Sequence, residues 1–92
     1  MDFEKFQQEY NSTVEIMETG DYGDAEEAFH KLLDRKVSTE HTEELKKLRS
    51  SIWNNLGAMA LEQGDLKKSE RALEKTVELN PEHASAYNNL AG

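Results

Sequence analysis

Apolar and polar positions along this chain recur with a helical period. From Met1 to Thr19, Phe3, Phe6, Tyr10, Thr13, Val14 and Met17 fall on one stripe, with Glu4, Gln7, Gln8, Asn11, Glu15 and Glu18 elsewhere. The spacing predicts an amphipathic helix over residues 2–19. Gly20 supplies a residue able to take the left-handed conformation that ends a helix, and Asp21 is placed to cap the next one. Ala25, Ala28, Phe29, Leu32 and Leu33 then predict a helix over 22–36. Leu45, Leu48, Ile52, Trp53 and Leu56 continue a third stripe without a breaker. Ser38 or Thr39 stands ready to cap it, and Glu40, Glu43 and Glu44 suit its positive first turns, so this helix is expected over 40–63. Gly64-Asp65 interrupts the pattern as Gly20-Asp21 does. A fourth run (Leu66, Ser69, Leu73, Thr76, Val77) covers 66–79 and stops at Asn80-Pro81, and a fifth, 82–91, has Tyr87 and Leu90 to bury. The fold class is all-α, with about five helices.

The pattern also repeats. Tyr87-Asn88-Asn89-Leu90-Ala91 restates Trp53-Asn54-Asn55-Leu56-Gly57 after 34 residues, a period characteristic of stacked helical arrays. These residues resemble the tetratricopeptide repeat family, whose 34-residue helix-turn-helix unit reads W-x2-L-G-x2-Y, then A-x3-F, then P. Trp53, Leu56, Gly57 and Pro81 match outright, while Ala60, Ser69 and Leu73 keep a small or apolar group where Tyr, Ala and Phe are expected. Residues 5–38 look like a degenerate first repeat. Ala25 and Phe29 reproduce A-x3-F, but Glu9, Ser12 and Thr13 stand where Trp, Leu and Gly belong. Gly20 and Gly64 lie 44 residues apart, ten more than the period, and the surplus is read as an insertion at 39–49 that mainly adds turns to the front of the Trp53 helix. The expected organisation is one domain over 1–92, with a full repeat at 50–83 and a partial one at 84–92. The resemblance implies antiparallel helix hairpins stacked as a short right-handed solenoid, with the first helix of each hairpin lining a concave face.

Composition narrows the chemistry. The 92 residues include no cysteine, which excludes disulfides and thiolate sites. No apolar run is long enough to cross a bilayer, and Met1-Asp2-Phe3-Glu4 lacks the basic and apolar regions of a secretion signal, so a cytoplasmic location is expected. The net charge is −8, and residues 1–30 alone hold nine acids against Lys5. That field disfavours nucleic acid and anionic membrane and favours a basic partner. Of His30, His41 and His83, none belongs to a motif. Glu26, His30 and Asp34 share a helix face at i, i+4, i+8, a spacing that is common on solvated faces. There is no phosphate-binding glycine loop, and Ser50, Ser51 and Ser69 lack a paired base at a recognisable spacing. No catalytic role, cofactor or metal is expected.

Binding remains. By the resemblance, the ligand-facing positions are Ser51, Asn54, Asn55, Ala58, Leu61 and Glu62 in the central repeat, and Ser85, Asn88 and Asn89 in the last. In the first they are Tyr10, Val14, Met17 and Glu18, although Tyr10, Val14 and Met17 equally suit the core of a divergent end repeat. Asn is a poor helix former whose amide can hydrogen-bond the backbone of an extended peptide. One of each Asn pair serves equally well in capping or between repeats. Asn55 resembles the asparagine with which chaperone-binding members hold a terminal carboxylate, yet Tyr10, Ser85 and Asn89 occupy the positions of the accompanying cations, so docking of a chaperone C-terminal tail is disfavoured. On the fourth helix, Lys67–Glu70, Arg71–Glu74 and Lys75–Glu78 are spaced to pair. The expected function is a non-catalytic protein-interaction module for an apolar or basic segment. The alternative is a homo-oligomeric assembly unit that associates through the last helix or the 40–50 extension.

Overall fold

The computed structural model describes residues 1–81, which form four helices: α1 (Phe3–Glu18), α2 (Tyr22–Leu33), α3 (Thr42–Glu62) and α4 (Leu66–Leu79). The expected fifth helix, 82–91, lies outside the described residues. The chain is all-α, as the helical period predicted, with an isolated bridge between Asp2 and Ser38. It divides into two compact units, Met1–Leu45 and Lys46–Gly92, the boundary falling inside α3.

In the first unit, α1 begins where the Asp2 carboxylate accepts from the Lys5 amide at 2.8 Å. It ends at Gly20, whose φ of +92° only glycine adopts without strain. Helices α1 and α2 then lie against each other across a three-residue turn, burying Phe6, Ala25, Phe29 and Leu32. Phe3, Tyr10, Val14 and Met17 are half-buried. The Tyr10 and Phe29 rings meet at 6.1 Å.

Three local expectations of this unit are corrected. Asp21 occupies the N-cap position of α2 but makes no capping bond, because its carboxylate turns back toward the Thr19 hydroxyl at 3.3 Å. Helix α2 stops at Leu33, three residues short of 36. The Ser38 amide donates to the Met1 carbonyl at 3.1 Å and the N-terminal ammonium to the Lys36 carbonyl at 3.3 Å, so 36–38 pairs with the chain start instead of continuing the helix. Finally, α3 starts at Thr42, not at residue 40, and neither Ser38 nor Thr39 is its cap. The Thr39 hydroxyl accepts from the His41 amide at 2.9 Å in a turn ahead of the helix. Residues 39–41 are therefore a turn and 42–49 are helical.

In the second unit α3 and α4 run antiparallel. The Ser69 hydroxyl donates to the Gly57 carbonyl at 2.8 Å and the Ser50 hydroxyl to the Thr76 carbonyl at 3.1 Å, so rising positions on one helix meet falling positions on the other. Gly57 lies at a close approach. A Cβ there would come within 2.8 Å of the Leu73 side chain and 3.3 Å of the Ser69 carbonyl. Ile52, Leu56, Met59, Ala60, Ala72 and Leu73 are buried around this contact, each large side chain contributing about 1.5–3 kcal/mol. The turn is closed by Gly64 at φ +80°, with the Asp65 amide donating to the Ala60 carbonyl at 2.9 Å. Asp65 then caps α4 by accepting from the Lys68 amide at 3.1 Å. Trp53 is half-buried.

Candidate protein-interaction face

Helix α3 turns most of its apolar residues to one side. At about 100° per residue these are Ile52, Leu56, Met59 and Ala60; they are buried, as are Ser50 and Gly57 where α3 meets α4. Ser51, Asn54, Asn55, Ala58, Leu61 and Glu62 fall on the opposite strip. Along it Ser51, Asn54, Asn55 and Ala58 are half-buried, Glu62 is exposed, and Leu61 is 45% exposed. The structure thus brings six of the expected residues onto one continuous surface about three turns long.

Asn54 stands out on that surface. Its side-chain oxygen is shielded from solvent and has no hydrogen-bond partner. An unmet acceptor of this kind costs roughly 1–3 kcal/mol. The other polar groups buried in this hairpin are satisfied: Ser50, Ser69 and Thr76 all donate to backbone carbonyls, Thr76 to Ala72 at 3.1 Å.

The remaining expected residues fall elsewhere. Tyr10 lies in the first unit with its ring on Phe29, beside half-buried Val14 and Met17, and Glu18 is exposed. Ser85, Asn88 and Asn89 lie outside the described residues. Glu26 and His30 stand 4.0 Å apart at one helical turn, and among the described residues no group of three acidic or histidine side chains is gathered to hold a metal ion. On α4 the residues of the three expected pairs, Lys67, Glu70, Arg71, Glu74, Lys75 and Glu78, are exposed, and these pairs do not form ion pairs among the described residues. The gain from such pairs, about 0.2–0.5 kcal/mol, is too small to hold two long side chains in one geometry.

Sequence reasoning missed one feature, a groove of about 230 Å³ in the first unit. It is lined by Glu9, Ser12 and Thr13 of α1, by Ala28, Lys31 and Leu32 of α2, and by Arg35 just beyond. The signal was present. Glu9, Ser12 and Thr13 are the three positions at which this segment departs from the Trp, Leu and Gly of the repeat pattern.

No helix among the described residues is long and apolar enough to cross a membrane. No curated protein matches the chain. Residues 50–83 match the tetratricopeptide repeat family, whose members are protein-interaction modules and generally non-catalytic. The matched span begins at Ser50 of α3 and takes in the whole of α4. The close Gly57–Leu73 approach and the Ser69–Gly57 bond lie within this span of residues 50–83, which matches one tetratricopeptide repeat.

Proposed function

We propose that this protein is a non-catalytic interaction module whose α3 face, Ser51, Asn54, Asn55, Ala58, Leu61 and Glu62, receives an extended segment of another protein. The observation that carries the reading is the Asn54 carbonyl, an acceptor out of solvent and without a donor. On turning outward from its shielded position, the Asn54 amide can accept a backbone N–H from a bound peptide. Alternating apolar and polar contacts from Ala58, Leu61 and the Asn pair grip the peptide's side chains. The acidic balance of the chain, net −8, selects apolar or basic segments and disfavours nucleic acid, anionic membrane and acidic chaperone tails. Ser85, Asn88 and Asn89, outside the described residues, are further candidate contacts in this proposal. A cytoplasmic location accords with the absence of cysteine.

The test is an array of extended peptides graded in charge and hydropathy, probed with the intact chain and with an Asn54→Ala, Asn55→Ala double variant. Basic or apolar peptides should be retained by the parent and lost at least tenfold by the variant. Equal retention by both proteins, or preferential capture of acidic peptides, overturns the reading.

A further inference from the structure

The α1–α2 groove has a cause in the sequence and an occupant of matching chemistry. Counting from the turn glycines, Ser12 is the counterpart of Leu56. Leu56 is buried in its own hairpin, whereas Ser12 is exposed and lines a groove of about 230 Å³, with Ala28 and Leu32 also in its wall. That volume is below the roughly 300–1,000 Å³ of small-ligand pockets and leaves room for an inserted aliphatic side chain. Lys31 and Arg35 line the groove from the α2 side and Glu9 from the α1 side.

Leu66 supplies the matching knob. It is 66% exposed on the first turn of α4 and is flanked by Asp65 and Lys67. Charge sets the polarity of the contact. Residues 1–45 hold thirteen acids and four bases, a net −9, whereas 46–92 hold six acids and seven bases, a net +1. Two first units repel each other, so the favoured encounter sets the first unit of one copy against the second unit of another.

We propose that a second copy of this chain inserts Leu66 into the α1–α2 groove, giving a weak head-to-tail association in which the incoming leucine replaces the side chain that Ser12 lacks. Such a contact uses different surfaces on its two sides. It is independent of the α3 face proposed above, so either can fail alone.

The test is sedimentation equilibrium of the intact chain over roughly 0.05–1 mM at about 0.15 M salt, where the repulsion between copies of net charge −8 is screened to within about 8 Å. The parent should rise above its monomer mass of 10.5 kDa. Ser12→Leu fills the groove and Leu66→Glu removes the knob, and each alone should stay monomeric with unchanged helical circular dichroism. Mixed in equal amounts they should associate again, because one retains the knob and the other the groove. Should Ser12→Leu lose helix, Ala28→Glu blocks the same groove. A monomeric parent, a single variant that still associates like the parent, or a mixture that stays monomeric each overturns the proposal.

Discussion

At the scale of single residues, Gly57 and Asn54 carry opposite kinds of information. Gly57 is there because Leu73 and the Ser69 carbonyl leave no room for a methyl group. Alanine is the better helix former by about 1 kcal/mol, while overpacking a filled core costs about 1–3 kcal/mol. Leu73 is only 2% exposed, so any shift of its side chain is made within the core, and steric crowding wins. Gly57→Ala should lower stability by about 1 kcal/mol in urea denaturation, where helix propensity alone predicts a gain. Asn54 behaves the other way. Asn54→Leu removes an unpartnered acceptor and should raise the stability of the free chain by about 1 kcal/mol while weakening peptide capture. A variant that is destabilised instead would mark the amide as part of the folded scaffold.

At the scale of elements, the two turns look alike in sequence and differ in energy. Gly20-Asp21 and Gly64-Asp65 both place glycine at positive φ ahead of an N-cap aspartate. Only Asp65 makes the capping bond, so Asp65→Ala should cost about 1 kcal/mol and Asp21→Ala much less, compared by thermal denaturation. The difference was not legible beforehand, since it comes from the Thr19 hydroxyl 3.3 Å from the Asp21 carboxylate. The helices themselves were legible because the apolar stripes keep one period and a glycine interrupts them at each turn. The end of α2 was not, because 36–38 pairs with residues at the chain start, a contact that no local pattern encodes. Likewise, the face of α3 could be read from the spacing of Ser51, Asn54, Asn55 and Ala58. The solvent-shielded state of the Asn54 oxygen needed three dimensions. The groove falls between these cases: three departures from the repeat pattern were visible in the sequence, but not the space they leave.

At the scale of the whole molecule, charge is the dominant unbalanced term. The net −8 is concentrated in the first thirty residues, where repulsion among exposed carboxylates opposes compactness. Raising sodium chloride from about 10 mM to 300 mM shortens the screening length from about 30 Å to well under 10 Å and should raise the melting temperature. A melting temperature that falls with salt would show that attractive pairs outweigh the repulsion. The same field sets which partners approach, and the α3 face sets where one settles. The two roles separate in a titration followed by amide chemical shifts, using the peptide best retained on the array. The account predicts that the largest shifts fall on Ser51, Asn54, Asn55 and Ala58, with buried Ile52, Leu56 and Leu73 little changed. Shifts centred on the exposed α4 residues Lys67, Arg71 and Lys75, with Asn54 and Asn55 unmoved, would contradict it.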